Sequence, residues 1–471
     1  MLATKTGTAE KPASSTPTNR GLDFTEMLSE ITRSRKSNPM KAFLEHINKP
    51  GLISLGGVIK PGTRAHDEEK LNEYTEISVK KSVEDGSKVE SLNSLLQYGP
   101  STGVKSLSHY FSHHMRRYHT PQYSNMESIM SVGSTDALNK VAALFLTRGD
   151  PVVVCQWTYP AVIETFAGAG YKMVSVGMDN EGMNPEALDR VCTEWTGPQK
   201  LKVVYLIPTG QNPTGATMSV QRRKDIYSVC QKHNLMIIED DPYYFIQFGG
   251  LPVVHHEEQS ESYFSKLPGV ENLLPSLLSL DVDGRVVRMD TFSKLITPNT
   301  RIGWITGQDY FIDAILKSTE STVQQASGFS QGLISKLLND EWKDAGFEEH
   351  IRFLQVDYIS KRNCMLNAME KYLGNKAVSV VVPDSGMFIW MEINLPEPHK
   401  STPGIADIIF NKLIENNILL VSGWQCHTSQ DTEPVKNYPY FRLAYSFATI
   451  EQIDSGIQRV ANTLKEFGCD L

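Results

Sequence analysis

The sequence predicts an α/β protein built on a largely parallel sheet, and three observations lead to that fold class. The chain has 471 residues, too many for a single small module, which suggests about two or three domains. Hydrophobic residues make up 40% and charged residues 21%, so a large buried core is expected. Short apolar runs rich in β-branched residues alternate with stretches of helical periodicity, which is typical of parallel strands joined by helices. The candidate strands are residues 152–155, 203–207, 236–239, 286–289 and 303–306.

Helices are predicted between and after these strands. Residues 134–147 carry an apolar face, and Gly149 is placed to end that helix. Residues 254–278 are polar and interrupted by proline, which indicates a surface insertion. Near the C-terminus, Thr449 and Gln452 form a capping-box pattern before a helix with one apolar face.

Charge and cysteine content restrict the partners and the compartment. The chain has 46 basic and 54 acidic residues, a formal net charge of −8, so no global positive field attracts nucleic acid. No apolar run approaches the roughly 18 residues of a membrane span, and the N-terminus lacks the apolar stretch of a signal peptide. The six cysteines lie far apart, which indicates reduced thiols. A cytoplasmic protein without nucleic-acid or membrane partners is therefore expected.

Four segments, each at the end of a predicted strand, contain side chains that could form an active site. In the first, Lys294 comes after Thr291 and Ser293, and Arg301 follows seven residues later. A lysine can form a Schiff base with an aldehyde cofactor, while neighbouring hydroxyls and an arginine can hold a phosphate. Taken alone, a lysine in a loop is far more often a solvated surface residue.

The second and third segments supply acids, a phenol and an amide. Asp240 ends an apolar strand and could fix a protonated pyridine nitrogen, and the Tyr243 phenol could reach a ring hydroxyl. The structural alternative is a helix N-cap before Pro242. The third segment, residues 209–215, holds Asn212 among glycine and proline, which form a turn whatever else they do.

The fourth segment places Ser134 and Thr135 directly after Gly133, where a strand is predicted to turn into a helix. Free backbone N–H groups and the positive end of the helix dipole suit an anion there, although most helix starts bind only water. The co-occurrence of all four segments in one chain favours a shared site more than any one of them does.

Taken in order, these segments resemble a known family. SVGSTDAL, PTGQNPTG, IIEDDPYY and TFSKLITPNTRIGWITG are together similar to the fold-type I pyridoxal-phosphate (PLP) aminotransferases of class I/II. The residues of these motifs are most similar to those of the branch that contains the fungal aromatic and the kynurenine/2-aminoadipate aminotransferases. The resemblance begins at about Lys36. It implies a tail over residues 1–35, a segment 36–75 joining the small domain, a large PLP-binding domain over 76–364, and a small α/β domain over 365–471.

The resemblance also implies roles for individual residues. Lys294 would bond the PLP aldehyde and, once freed, act as acid and base in the proton shift. Asp240 would pair with the pyridinium nitrogen, and Tyr243 and Asn212 would bind the ring hydroxyl oxygen. Asn212 would also contact the substrate. Tyr159 would stack on the ring. The residues around the phosphate would be Ser134, Thr135, Thr291, Ser293 and Arg301.

Three further residues are assigned by the resemblance alone. Arg442 matches the arginine that binds the substrate α-carboxylate through a bidentate pair, and it would otherwise pass for an ordinary strand arginine. Gly57, in a glycine-rich turn, is placed beside the substrate. Tyr98 matches a tyrosine that the partner subunit of a dimer donates toward the phosphate, so a homodimer is implied.

The implied activity is transfer of an amino group from an aromatic L-amino acid (Trp, Phe or Tyr) to a 2-oxo acid. Residues 55–67 lack the Phe-Pro pair that relatives use at the substrate pocket, which leaves a PLP-dependent lyase of specialised metabolism as an alternative. Lys41 stands where 2-aminoadipate-preferring relatives tend to carry arginine, so the 2-aminoadipate/kynurenine alternative is less favoured than an aromatic substrate. Apolar Val58 and Ile59 near the entrance favour a ring as well. A fold-sharing transcription regulator is disfavoured, because too few residues precede Gly51 for a winged-helix module.

Two other patterns are interpreted as structural. A histidine-rich stretch contains His109 and His113 at the i,i+4 spacing of metal ligands, but no third ligand is evident. A solvated face that also carries His114 and His119 is therefore expected, without a metal. Residues 166–170 resemble half of a dinucleotide loop but follow a helical stretch, so no NAD site is predicted.

Overall fold

The structure of the protein is a computed structural model, and it describes residues 29–36, 38–42, 46, 49–57, 90–429 and 431–471. Two main β-sheets organise these residues. One has seven strands and is flanked by helices, and the other has four strands and lies toward the C-terminus of the chain. The predicted α/β architecture with a mainly parallel central sheet is confirmed.

The strands are short segments spread along the described chain. In chain order they are β1 (Ile53–Ser54), β2 (Met126–Ser131), β3 (Pro151–Cys155), β4 (Lys172–Val176), β5 (Met178–Asp179), β6 (Gly182–Met183), β7 (Val203–Leu206), β8 (Met236–Asp240), β9 (Val286–Thr291), β10 (Gly303–Gln308), β11 (Val378–Val380), β12 (Phe388–Ile393), β13 (Ile418–Leu419), β14 (Val421–Ser422) and β15 (Tyr440–Ala444).

The α-helices alternate with these strands. They are α1 (Glu30–Ser34), α2 (Pro39–Ala42), α3 (Leu92–Leu95), α4 (Lys105–Tyr118), α5 (Ser134–Phe145), α6 (Pro160–Ala169), α7 (Pro185–Glu194), α8 (Val220–Lys232), α9 (Glu261–Phe264), α10 (Leu277–Leu280), α11 (Asp309–Ser321), α12 (Gly328–Lys336), α13 (Lys343–Ala377), α14 (Ile405–Glu415) and α15 (Ile450–Lys465).

The large sheet has the strand order β2-β10-β9-β8-β7-β3-β4. Neighbours from β9 to β4 are parallel, and β10 is antiparallel to both β2 and β9. β7 and β9 are buried along their whole length, as expected for parallel strands covered on both faces. The carboxyl ends of β7, β8 and β9 lie at one edge of the sheet, so the side chains that follow them collect there.

The four-stranded sheet has the order β11-β12-β15-β14 and is antiparallel. β1 pairs in parallel with β13, so residues 53–54 lie against the C-terminal part of the chain. The long helix α13 passes through residue 364, and the domain boundary placed there stays a prediction. The predicted tail over residues 1–35 lies mostly outside the described residues, which begin just before α1.

All five predicted strands are present as β3, β7, β8, β9 and β10, with ends that differ by one or two residues from those expected. The sequence does not predict β2 and β4, which also belong to the large sheet. Their apolar pattern is interrupted by the exposed polar side chains of Glu127 and Lys172. Strands at the ends of a sheet are less buried, so their signal is weaker.

The helix predicted over residues 134–147 is α5, which starts where expected but ends at Phe145. Leu146 already has an extended backbone and is buried in the core. The placement of Gly149 as the residue that ends this helix is therefore wrong. Its φ of 90° belongs to the turn that leads into β3.

Residues 254–278 are only partly a surface insertion. Tyr263 and Leu277 are buried in the core. The backbone N–H groups of Leu277 and Leu278 donate to the Glu239 carboxylate at 2.8 and 3.0 Å. The expectation of a purely surface segment is therefore wrong, because its polar composition hides the few residues that pack inward.

The C-terminal helix prediction is confirmed by α15. Thr449 and Gln452 form both hydrogen bonds of the capping box, at 3.2 and 3.0 Å. The predicted apolar face is fully buried and consists of Ile453, Ile457, Val460 and Leu464.

The histidine-rich helix α4 is only partly solvated. His109 and His113 are exposed, and the imidazole of His113 lies 3.0 Å from the Asp344 carboxylate. His114 and His119 are buried instead. Burial lowers the pKa of His114 to about 3, so this side chain stays neutral inside an aromatic cluster. The expectation of a solvated face is therefore wrong for these two histidines.

Candidate active site

Side chains from distant parts of the sequence meet in one cavity at the carboxyl edge of β7, β8 and β9. Its volume is about 350 Å³. The start of α5, the segments that follow the three strands, and residues of α2 and β1 all contribute to its wall. The sequence-predicted residues that line it are Gly57, Ser134, Thr135, Tyr159, Asn212, Asp240, Tyr243, Thr291, Ser293, Lys294, Arg301 and Arg442.

Lys294 lies in the turn that follows β9 and faces this cavity. Burial and the positive charges of Arg442 and Arg301 lower the pKa of its amine to about 8, against the opposing charge of Asp240. A larger fraction of the amine is therefore neutral, and nucleophilic, near neutral pH. Such an amine can form a Schiff base with an aldehyde.

Asp240 is the last residue of β8 and is buried. Its Oδ2 accepts a hydrogen bond of 2.6 Å from the Tyr205 hydroxyl, whereas its buried Oδ1 has no partner within the described part of the chain. Burial raises the pKa of this carboxyl to about 6. A buried oxygen without a donor is unfavourable, and a ligand that brings a proton-bearing nitrogen would satisfy it.

The start of α5 and the turn after β9 form an anion-binding corner. The Ser134 hydroxyl is buried and has no hydrogen-bond partner among the described residues. Gly133 gives the helix no side-chain cap, so N–H groups of the first turn are available to a ligand. Arg301 donates to the Ser293 hydroxyl at 3.0 Å, and Ser293 lies 2.8 Å from the Thr291 hydroxyl. This set fits a phosphate group.

Gly133 is required at this corner for a steric reason. Its φ is 78°, which side chains other than glycine rarely adopt. A Cβ at this position would collide with the guanidinium of Arg301. Glycine therefore lets the arginine lie against the start of the helix, where both can contact one anion.

Arg442 lies on β15 and is fully buried. It donates to the Asn212 side-chain oxygen at 2.7 Å and to the Gly56 carbonyl at 2.9 Å. Its Nε has no acceptor among the residues that the structure describes. A buried guanidinium with only neutral acceptors favours a carboxylate ligand, because a charge without a counter-charge is costly to bury.

Two tyrosines form the remaining polar wall. Tyr243 is buried, and burial raises the pKa of its phenol far above its usual value, so it remains a hydrogen-bond donor. Tyr159 precedes α6, and burial raises the pKa of its phenol as well. Asn212 lies beside Tyr243 at this wall, and Asn38 lies beside Tyr159.

Some predicted residues lie elsewhere. The structure does not bring Tyr98 to this cavity; its side chain is 93% exposed, and its role stays a prediction. Val58 and Ile59 lie outside the described residues. Lys41 does line the cavity, from α2. The structural alternative of a helix N-cap before Pro242 is wrong, because residues 242–245 form turns rather than a helix.

Sequence reasoning misses several residues of the site. Tyr205 lies in an apolar strand, where a tyrosine is more often a core residue. It pairs with Ile238 of β8, and side chains two residues apart on a strand share a face, so Tyr205 and Asp240 lie on the same face of the sheet. The sequence could have related the two only if this strand pairing had been known. The remaining ones come from N-terminal segments without a local motif or from apolar positions; they are Asn38, Met40, Ser54, Gly56, Ile207, Pro242, Pro298 and Leu419.

The comparisons with known proteins agree with this geometry. The family model of the aminotransferases of class I and II matches residues 68–460. An aromatic amino acid aminotransferase of Schizosaccharomyces pombe is 34% identical, over 95% of this chain and 99% of the relative. The mitochondrial kynurenine/alpha-aminoadipate aminotransferase of Mus musculus is 30% identical, over 94% of this chain and 100% of the relative.

Solved structures show the same relationship. The crystal structure of the aminotransferase Aro8 from Candida albicans has a TM-score of 0.76 and 28% identity, and the match covers 95% of this chain and 98% of that one. A kynurenine aminotransferase from Pyrococcus horikoshii, solved with PMP, has a TM-score of 0.77 and 25% identity, covering 94% and 98%. The chain therefore belongs to the aminotransferase class I and II family and is a PLP-dependent aminotransferase of fold type I.

Proposed function

We propose that this aminotransferase moves the amino group of an aromatic L-amino acid (Trp, Phe or Tyr) to a 2-oxo acid. The observation that carries the proposal is the position of Arg442, which is buried and has only neutral hydrogen-bond acceptors among the residues that the structure describes. Beside it, Met40, Tyr159 and Leu419 form an apolar and aromatic wall of the cavity. Such a site binds one carboxylate and favours burial of a ring. Relatives that are named aromatic amino acid aminotransferases support the same substrate class.

Each residue of the cavity has a separate role in the proposed transamination. PLP, when bound, supplies an aldehyde and a protonated ring that stabilises negative charge at the substrate Cα. In this proposal Arg442 binds the α-carboxylate, and the Lys294 amine takes the Cα proton and returns it during the 1,3-shift. Asp240 holds the proton on the ring nitrogen. Tyr243 and Asn212 would bind the ring hydroxyl oxygen, and Tyr159 would pack on the ring.

The proposed phosphate site anchors the cofactor while Lys294 is released from it. The phosphate would contact the N–H groups and hydroxyls at the start of α5, at Ser134 and Thr135, and the cluster of Thr291, Ser293 and Arg301. Because this anchor is independent of the lysine, these residues would hold PLP in place through the reaction. Positioning of this kind accounts for much of the rate gain that an active site supplies.

The Arg442→Ala variant is expected to lower kcat/KM for every amino acid by a similar factor, on the order of a hundredfold, because all of them lose the same charge-assisted pair. Aromatic, aliphatic and acidic amino acids are compared with one oxo acid held constant. Lys41→Ala, which removes a second cation of the same cavity, is the matched control and should leave aromatic substrates little affected. A loss confined to acidic amino acids in Arg442→Ala would contradict the assignment.

A substrate panel tests the aromatic preference directly. Trp, Phe and Tyr are expected to have kcat/KM values about tenfold or more above those of 2-aminoadipate and aspartate, because the apolar and aromatic wall favours a ring, whereas exposed Lys41 would pair only weakly with a second carboxylate. Oxo-acid products are measured together with free ammonia and pyruvate. A higher value for 2-aminoadipate would overturn the substrate class, in favour of the function for which the mouse relative is named. Stoichiometric ammonia would indicate the lyase alternative, since transamination releases none.

We further propose that the enzyme is a cytoplasmic homodimer. Exposed apolar side chains gather where α3 and the residues after it meet α12 and the residues before it, and Gly99 donates to Gln325 at 2.9 Å there. These side chains are Leu96, Tyr98, Val323, Phe329 and Leu333. A second copy would cover them and could bring its own Tyr98 to the phosphate site. No helix in the described segments has the length and apolar character to cross a membrane.

Sedimentation of the purified enzyme checks the dimer. A single species of about twice the 52.7 kDa chain mass is expected, and Phe329→Glu should shift it toward the monomer by placing charge in the apolar patch. Tyr310→Glu, at an exposed aromatic residue away from this patch, is the matched control. A monomer in the unmodified protein would contradict the proposal.

A further inference from the structure

Tyr205 is a buried residue that reaches the active site only through Asp240. Its hydroxyl donates a hydrogen bond of 2.6 Å to Oδ2 of that carboxylate. Tyr205 is 1% exposed, and it is not one of the residues that line the cavity. Any influence on the reaction is therefore transmitted by the carboxylate that it contacts.

The fold determines this contact. Tyr205 lies on β7 and is paired with Ile238 of the parallel strand β8. Ile238 and Asp240 are two residues apart, so their side chains are on the same face of the sheet as the tyrosine. The Tyr205 ring packs edge-on against Phe166 of α6, with 5.8 Å between ring centroids. The phenol is thus fixed by a central strand on one side and a helix on the other.

The hydrogen bond stabilises the charged form of Asp240. Burial and the charge of Asp240 raise the pKa of Tyr205 well above its ordinary value, so the phenol keeps its proton and is the donor. Burial raises the pKa of Asp240, and the hydrogen bond from Tyr205 lowers it. Because Oδ2 is occupied, Oδ1 is the oxygen that remains for a ligand. It has no partner among the residues that the structure describes.

We propose that Tyr205 is a positioning residue for transamination. Its hydroxyl holds the Asp240 carboxylate in one orientation. Oδ1 then remains free to accept a hydrogen bond from the proton-bearing ring nitrogen of PLP. A carboxylate without this bond could rotate and share its charge between two orientations, which would weaken the pairing with the ring. This role depends on the aminotransferase chemistry and not on which amino acid is the substrate.

The Tyr205→Phe holoenzyme tests the proposal, because phenylalanine removes the hydroxyl and keeps the ring that packs on Phe166. We expect kcat to fall about tenfold, the effect of losing one hydrogen bond to a charged group, while KM for the amino acid and for the oxo acid stays unchanged. PLP should leave the dialysed holoenzyme about tenfold faster. A purely structural role would lower the unfolding temperature without producing this split between kcat and KM.

Tyr227→Phe is the matched control. Tyr227 is also buried and donates a hydrogen bond of 2.7 Å to the Asp281 carboxylate, away from the cavity lining. This variant should keep the kcat and the PLP release rate of the unmodified enzyme. Equal tenfold losses in Tyr205→Phe and Tyr227→Phe would overturn the proposal, because they would reflect a general effect of losing a buried phenol.

A double-mutant cycle with Asp240→Asn gives the second test. When the carboxylate is absent, Tyr205 holds only an uncharged amide with its NH₂ group toward the ring, so Tyr205→Phe should cause no further loss of kcat or of PLP in that background. A tenfold loss that persists in the Asp240→Asn background would overturn the proposal, as would unchanged kcat and PLP release in the single Tyr205→Phe variant.

Discussion

Lys294→Ala is expected to abolish the covalent attachment of PLP and to lower kcat by more than about 10⁴-fold, because the variant loses both the nucleophile and the proton-transfer group. The unmodified enzyme should be yellow, and borohydride reduction should fix PLP on Lys294. Mass spectrometry should then show a mass increase of the one peptide that contains Lys294. In the variant that peptide is unlabelled.

Lys41→Ala provides the matched control for this experiment. Lys41 lines the same cavity from α2, but its side chain is exposed to solvent, whereas burial lowers the pKa of the Lys294 amine. The borohydride-dependent label should therefore remain on Lys294 in this variant. Retention of the label in Lys294→Ala, or its loss in Lys41→Ala, would show that another amine bonds the cofactor.

The residues that the sequence identifies well are those that follow a buried strand within a few positions. Lys294, Asp240 and Asn212 each come after an apolar run, and parallel strands bring their carboxyl ends to one edge of the sheet. The location of these three residues could therefore be predicted from the strand pattern. Their expected roles came from the resemblance to a family. Arg442 is different, because a strand arginine has no local feature that distinguishes it.

The features that the sequence does not predict depend on packing between distant segments. Met40 reaches within 3.6 Å of Arg442 although about 400 positions separate them, and no periodicity relates the two. His114 and His119 are polar by type but buried, His114 by its position on α4 and His119 in the turn directly after that helix. Leu146 takes an extended backbone directly after α5 and is buried in the core, so tertiary packing accompanies a helix end that the local helix signal does not predict.

Asp240→Asn is expected to lower kcat on the order of a thousandfold, a loss of about 4 kcal/mol in transition-state stabilisation. The Tyr205 hydroxyl is a donor, so it would select the oxygen of the new amide. The NH₂ group would then occupy the place of Oδ1, where it would face the ring nitrogen as a second donor. A protonated ring nitrogen is disfavoured in that arrangement, and the electron sink is weakened. KM for the amino acid should change little, because Arg442 binds the α-carboxylate independently.

Asp241→Asn is the control that separates this effect from the loss of any buried acid. Asp241 is adjacent and buried, but its carboxylate accepts a hydrogen bond of 2.9 Å from Thr209 and lies 3.4 Å from Arg288, outside the cavity lining. Its replacement should lower the unfolding temperature while the folded enzyme keeps its kcat, since no group of Asp241 contacts the cofactor site. If kcat were instead unchanged in Asp240→Asn and reduced a thousandfold in Asp241→Asn, the partner of the ring nitrogen would be the second acid, and the orphaned Oδ1 of Asp240 would have to be satisfied in another way.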